Sequence, residues 1–436
     1  MANVTADVII VGAGVIGSAT AFELSKLGLR VTVVDKTGGV GFGSTSASSA
    51  VIRFTFSTWD SVATAWESKH YWEGWTEYLG HRDESGMASY IRTGVVTLDA
   101  PVVPTRRMTD HFDRIGVPYE IWDAETLRTR VPAVDVGAYW PPKSLDDERF
   151  FEEATGELGA LYTPDGGFVD DPQLAAHNLA AAAQNLGCTF LFRQTVIQVD
   201  RNSQKVLGVT LEDGTRLAAP VVVNAAGPWS GALNDLAGVG GDFSVSVRPM
   251  RQEVHQVAAP AAYGSQALPG PTIGDLDLGT YMRAAAGRHL LVGGTEPECD
   301  PLEWIDDPDQ ADPRPTSRRF QAQVTRAARR IPGLTVPNTP QGVAGVYDVA
   351  EDWTPIYDRT ALDGYYVAMG TSGNQFKNAP LAGRFMAALI SGGKSGRNHD
   401  VEPLGYPCEY TEHVINLGAF SRKRSVNKLS SSTVMG

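Results

Sequence analysis

The hydrophobic pattern of this chain changes period along its length, and the changes divide it into parts. Near the start four apolar β-branched residues, Val8 to Val11, run together, as in a parallel strand covered on both faces. Gly12-Ala13-Gly14-Val15-Ile16-Gly17 follows, then a helical period with Ile16, Ala19, Phe22, Leu24 and Leu27 on one side, stopping at Gly28. A second apolar run, Leu29 to Val34, ends in Asp35. Val221-Val222-Val223-Asn224-Ala225-Ala226-Gly227 reads as another buried strand entering a small-residue turn, expected to rejoin the first sheet. Tyr365 to Met369, with Gly370-Thr371-Ser372-Gly373 and a helix to about Ile390, repeats the order strand, glycine turn, helix.

The stretches between read differently. Trp59 to Leu79 is helical and aromatic, a packing stripe. From about Tyr90 to Tyr162 a strand (Gly94 to Leu98), a helix (Arg107 to Ile115) and proline-bearing loops suggest a separate domain, to which about Ser244 to Gln341 returns. A helix from Pro172 to Leu186, strands at Cys188–Phe192 and Thr195–Asp200, and a hairpin over Val206–Pro220 lie between. The helix from Ser317 to Arg330 ends in Arg326, Arg329 and Arg330, expected as a solvated basic face. Asp300 to Asp312 is expected as an exposed loop, and the basic, Ser-rich stretch from Gly418 as a solvated or loosely docked tail. The fold class is α/β: a Rossmann-like dinucleotide-binding domain interleaved with an α+β domain having an antiparallel sheet.

At 436 residues the chain is long enough for two cores. Its net charge of −13 argues against nucleic acid or an anionic membrane as partner, so an anionic substrate needs a local basic pocket. Three cysteines without paired or ligand spacing suggest a reducing compartment, idle thiols and no metal site. No basic leader precedes the first strand and no apolar run reaches the ~18–20 residues of a spanning helix. A cytoplasmic protein without a membrane span is expected.

The candidate chemistry starts at the first turn. Gly12 permits the tight bend, Gly14 leaves room for a pyrophosphate, and Gly17 lets helix and strand pack closely. The helix N-terminus favours phosphate, and Asp35 stands where a carboxylate accepts from a ribose 2′-hydroxyl. This fingerprint alone does not separate FAD from NAD; Lys36 is a weak substitute for the arginine that would mark a 2′-phosphate. The small polar segment Gly38 to Ala50 is expected to fold over the cofactor. Arg53, flanked by apolar residues, and Lys377, inside a turn, are unusual settings for cations. Arg53 in particular fits a carboxylate clamp. Arg283 shares a strand face with Tyr281, two residues earlier, and is a second candidate for that role.

Four separated motifs together resemble the flavin-dependent amino-acid oxidases and dehydrogenases of the D-amino-acid oxidase superfamily, nearest to the monomeric sarcosine oxidase and dimethylglycine dehydrogenase branch. They are Gly12/Gly14/Gly17 with Asp35; Ser49-Ala50-Val51-Ile52-Arg53; Tyr162-Thr163-Pro164-Asp165-Gly166-Gly167 leading to Val223-Asn224-Ala225-Ala226-Gly227-Pro228-Trp229; and Gly370-Thr371-Ser372-Gly373-Asn374-Gln375-Phe376-Lys377. The resemblance implies FAD, with an FAD-binding domain from 1–90, 163–235 and 342–400, a substrate domain from 91–162 and 236–341, and a tail from 401 to 436. It places Arg53 and Lys377 on the substrate carboxylate and Tyr281 and Tyr347 around the amine. Cofactor contacts are expected from Gly12, Ala13, Gly14, Val15, Ile16, Gly17, Asp35, Lys36, Ser44, Thr45, Ser49, Ala50, Val51, Val196, Ala226, Gly227, Trp229, Gly370, Ser372, Gly373, Asn374, Phe376 and Lys377.

Two departures carry expectations of their own. Gly345 stands where covalently flavinylated relatives have a cysteine, and Ser44 to Ser49 where others have a histidine, so FAD is expected to be non-covalent. Leu291 falls where the oxygen-activating lysine of the sarcosine oxidase branch lies, which predicts slow reaction with oxygen. The implied reaction is oxidation of an amino acid's C–N bond by hydride transfer to flavin N5 and imine hydrolysis, the substrate being a secondary or tertiary, N-alkyl or cyclic, amine. Oxygen or another acceptor takes the electrons. The alternatives are an FAD-binding subunit of a larger amine dehydrogenase and an NAD-dependent dehydrogenase.

Overall fold

The computed structural model describes residues 4–265 and 269–436. One sheet has the strand order Thr189–Phe192, Val31–Asp35, Val8–Val11, Val222–Asn224, Tyr365–Met369, Ile356–Arg359. All neighbours are parallel except the last pair. Val8, Ile9 and Ile10 are fully buried, as a continuous apolar run requires when both faces are covered. On one face lies the helix Val15–Lys26, packed between the helices Pro172–Asn185 and Ala379–Lys394. Gly383 permits the second crossing, since a Cβ there would stand 2.5 Å from the Ala19 carbonyl oxygen. Because the three central strands are parallel, the turns that follow them, Gly12–Gly14, Ala225–Gly227 and Gly370–Gly373, come together at one edge. Open parallel sheets bind ligands at that edge.

The second sheet is mostly antiparallel. Its order is Glu303–Trp304, Val247–Ala258, His289–Gly294, Thr280–Ala285, Thr272–Asp275, Val95–Leu98, Ala160–Thr163, Glu120–Trp122, with Gly342–Ala350 also paired to Val247–Ala258. The placement of Gly342–Ala350 departs from the boundary expected at 342. Val247 faces Ala350 and His255 faces Gly342, so the strand belongs by pairing to the antiparallel sheet. Nothing local distinguishes the two sheets as hosts; the long partner strand decides. Its last turn nevertheless reaches the first sheet's edge, where the Asp348 carboxylate accepts from the Thr371 N–H (3.0 Å) and hydroxyl.

Two expectations about basic residues are corrected. The end of the helix Ser317–Arg330 is not a solvated face: Arg326 and Arg330 are fully buried. Arg330 holds Asp275 at 2.7 Å and Asp277 at 2.8 Å, and also donates to the Asp135 and Gly137 carbonyls. Arg326 pairs with Asp300. Arg329 lays its guanidinium over the Tyr139 ring at 3.9 Å. Four residues apart, Arg326 and Arg330 share the helix face turned toward the sheet, and acids distant in sequence receive them. The C-terminal stretch is likewise not loosely docked. Arg422 is buried among Asp358, Asp400 and Asp242, Arg424 pairs with Asp352, and Leu417, Phe420 and Met435 are buried.

Candidate functional site

Two adjoining cavities lie at the edge where the glycine turns meet. The larger, about 310 Å³, is lined by residues of the first turn, Asp35 to Thr37, Ser44, Thr45, Val196, Ala225 to Trp229 and the end of the strand at Val346–Asp348. The smaller, about 70 Å³, is lined by Ser48 to Val51, Arg53, Tyr281, Asn374, Lys377, Val434 and Met435. Ser48, Tyr347, Gly373 and Phe376 line both.

The first turn is built to exclude side chains. Gly12 has φ +111° and a Cβ there would sit 2.2 Å from the Ala225 carbonyl oxygen; at Gly17 it would sit 1.9 Å from the Gly12 oxygen. Gly14 itself supplies no side-chain cap to the helix N-terminus and the first turn carries no acid, leaving the dipole for an anion. Thr45, from the polar loop, accepts the Val15 N–H at 3.0 Å, tying that loop to the turn. Asp35 lines the cavity, yet its oxygens are engaged by the Ala13 N–H (2.7 Å) and by the Thr37 N–H and hydroxyl (2.7 Å each), so it also braces the turn. Lys36 stands 4.0 Å over the Trp229 ring and pairs with Asp309, which accepts from the Trp229 indole at 3.1 Å. Asp309 comes from the acidic loop read as merely exposed, and it sits at the cavity wall. Of the remaining expected cofactor contacts, Ala13, Gly17, Gly370 and Ser372 stand behind the lining: the Ser372 hydroxyl accepts from the Ala350 N–H and donates to the Gly370 carbonyl.

Two tyrosines wall the smaller cavity, Tyr347 at its junction with the larger. Tyr281 shares a 2.6 Å hydrogen bond with the Ser49 hydroxyl. Glycines receive both rings: a Cβ at Gly293, opposite Tyr281, or at Gly373, against Tyr347, would approach to 2.3 Å. Burial raises both phenols above their ordinary range, so they stay neutral. Gly345 faces Ala47, where a Cβ would be 2.8 Å from the alanine's own, so a larger residue there requires the loop to shift.

Arg53 and Lys377 meet at one ring. The Arg53 guanidinium lies 4.6 Å and the Lys377 ammonium 5.2 Å from the centre of Phe56. Both are buried, at 6% and 4% exposure. Among the described residues neither makes an ion pair. Lys377 donates to the Asn374 carbonyl at 2.6 Å, and Arg53 to main-chain carbonyls of Thr55, Val434 and Met435. Burial pulls the Arg53 guanidinium down to about 9, and burial with the neighbouring Arg53 charge pulls Lys377 well below its ordinary value. The aromatic helix Trp59–Glu73 secures this turn: Ser68 and the Trp72 indole donate to the Lys377 carbonyl at 2.8 and 2.7 Å, and Trp72 stacks on Phe376. Arg283 lies elsewhere. It lines neither cavity, its guanidinium sits 4.4 Å over Phe168, and it donates to the Ala284 carbonyl. Leu291 is across the strand pair from Arg283, also outside both linings.

Residues 7–389 match the family of FAD dependent oxidoreductases named DAO. The chain belongs to this family. The glycine cradle, the acid-free helix end and the clasp of Lys36, Trp229 and Asp309 fit the pyrophosphate-linked cofactor of these oxidoreductases. Residues lining the larger cavity would hold it, with the smaller cavity beside it. Among curated relatives, the chain is 28% identical over 420 residues to the glycine oxidase of Geobacillus kaustophilus (strain HTA426), covering 94% of this chain and 98% of that protein. It is 24% identical over 388 residues to sarcosine oxidase subunit beta of an Arthrobacter species, covering 88% and 87%. Among solved structures, L-proline dehydrogenase from P. horikoshii superposes with a TM-score of 0.73 at 23% identity, covering 90% of this chain and 95% of that one.

The FAD cradle makes one sharp prediction. Gly12→Ala forces a side chain into the Ala225 carbonyl at a positive φ, so the purified variant is expected to lose most of its yellow colour. Retention of wild-type flavin content, read at the flavin absorption band, counts against this cradle as the pyrophosphate site.

Proposed function

We propose that this oxidoreductase oxidises the C–N bond of an amino acid whose nitrogen is a secondary or tertiary, N-alkyl or cyclic, amine. The observation that carries the reading is the pair of buried cations, Arg53 and Lys377, which meet at the ring of Phe56 and make no ion pair among the described residues, in the cavity that shares a wall with the cofactor cavity. A buried cation without a counter-ion is costly, and a substrate carboxylate relieves both. Names of relatives support an amino-acid or amine substrate: a glycine oxidase, a sarcosine oxidase subunit and a 4-methylaminobutanoate oxidase (formaldehyde-forming) of Paenarthrobacter nicotinovorans, the last 26% identical.

Bound FAD supplies the two-electron acceptor, held without a covalent link. The chain's own residues position. Arg53 offers a planar fork and Lys377 a point charge to the carboxylate, and the arriving anion restores the full charge of Lys377. Tyr281, oriented by Ser49, and Tyr347 form apolar walls with neutral hydroxyls around the amine.

A second reading, a flavin-holding subunit of a larger assembly, is favoured by the likeness to sarcosine oxidase subunit beta. It predicts activity only when a partner is supplied. Anaerobic mixing of the yellow protein with N-methyl, cyclic and primary amino acids decides between substrate classes. Bleaching of the flavin band by the first two groups is expected, and bleaching by primary amino acids alone rejects the secondary-amine assignment. The rate at which colour returns in air separates an oxidase from a dehydrogenase.

A further inference from the structure

The segment Thr433–Gly436 enters the smaller cavity, where Val434 and Met435 form part of the wall. Its main chain is held from two sides. The Val434 and Met435 carbonyls accept from Arg53, the latter at 3.1 Å. The Val434 N–H donates to Glu296 Oε2 at 2.6 Å, and Glu296 Oε1 accepts from the Gln252 amide at 3.0 Å. One stretch of backbone thus presents oxygens to a guanidinium and an N–H to a carboxylate. Those are the two polarities of an amino acid.

Glu296 is otherwise hard to account for. It follows the strand His289–Gly294 with a φ of +49°, a conformation that a non-glycine residue rarely adopts without reason. Its charge is felt by Arg53, Tyr281 and Tyr347, the groups around the smaller cavity. A carboxylate near Arg53 works against a guanidinium that must attract an anion, unless the same ligand carries a positive or N–H-bearing end for it. Loss of water around it pushes Glu296 up to about 8, so an N–H or ammonium donor stabilises its charged form.

We propose that Glu296 binds the substrate's amino group, opposite the Arg53 clamp, at the position filled in this structure by the Val434 N–H. The assignment rests on the amino-acid reading above. Residues 433–435 then act as a main-chain stand-in that withdraws when substrate enters, since Arg53 and Glu296 cannot serve both.

The test uses the FAD-loaded full chain and two ligands: the amino acid that bleaches the wild-type flavin fastest, and propionate, which has the carboxylate and no amine. Glu296→Gln keeps the shape and removes the charge. Its KM for the amino acid is expected to rise at least about 10-fold, the lower end for a charge-assisted hydrogen bond, while the Kd for propionate, read from the flavin spectrum, stays the same or falls. Val434→Pro removes the competing N–H, and KM for the amino acid is expected to fall. If Glu296→Gln shifts both ligands equally or neither, the assignment is wrong, and an unchanged KM in Val434→Pro overturns the stand-in. Bleached wild type with unchanged Glu296→Gln kinetics refutes this assignment alone. Wild type that no amino acid bleaches refutes the amino-acid reading and the assignment with it.

Discussion

Lys377→Met is expected to raise KM for a carboxylate-bearing substrate by about 10- to 100-fold, the worth of one charge-assisted hydrogen bond of roughly 1.5–3 kcal/mol. The flavin content should be unchanged. The stability should be unchanged or higher, which separates a binding role from a structural one. Lys377 is buried beside Arg53 and makes no ion pair among the described residues, and burial and the Arg53 charge both lower its affinity for a proton. Methionine has a similar length and no charge to desolvate, and the Ser68 and Trp72 bonds run to the residue-377 carbonyl, which the substitution keeps. A site whose removal stabilises the fold is the usual mark of a group placed for ligand and not for packing. Steady-state kinetics and a thermal melt of the same preparation check the prediction. Unchanged KM, or a fall in melting temperature together with flavin loss, makes Lys377 a structural residue. If KM rises while kcat holds, the contact is equal in ground and transition states, as expected of a carboxylate anchor remote from the reacting bond.

The second large effect concerns stability. Arg330→Met is expected to cost about 3–5 kcal/mol, the usual penalty for removing one partner of a buried ion pair, because Asp275 and Asp277 are fully buried and lose their counter-ion together. Urea denaturation at pH 7 measures it. The loss should shrink as pH falls toward 5. In the variant Asp277, already raised by burial, loses the arginine that lowered it, so the folded state binds more protons than the unfolded chain and gains relative stability as pH drops. Even with arginine present, burial and the Asp275 charge already hold Asp277 above the ordinary carboxyl range. Adding Asp275→Asn and Asp277→Asn to Arg330→Met should recover much of the loss, since the unpaired charges are then gone. A variant that loses less than about 1 kcal/mol would place these charges in contact with water.

What the sequence by itself determined was whatever local chemistry dictates. Val8 to Val11 could only be a doubly covered strand, and Gly12 has a conformation and a neighbour, the Ala225 carbonyl, that no other residue tolerates. The second buried strand and the glycine turn before Lys377 repeated the same logic, and all three turns do meet at one edge. Arg53 and Lys377 stood out because cations in apolar surroundings need a reason, and they meet at the ring of Phe56. What only the tertiary structure decided was pairing across distance. Arg326, Arg330 and Arg422 read as solvated because their acids lie far away in sequence, at Asp300, at Asp275 and Asp277, and at Asp358, Asp400 and Asp242. Strand Gly342–Ala350 joined the antiparallel sheet because Val247–Ala258 is long enough to hold it. Arg283 turned from a candidate carboxylate ligand into a partner of Phe168, and Val434, its N–H held by Glu296, entered the smaller cavity with no motif to announce either residue. A backbone N–H and a lone glutamate carry no pattern in one dimension. Their meaning comes from the groups that folding sets opposite them.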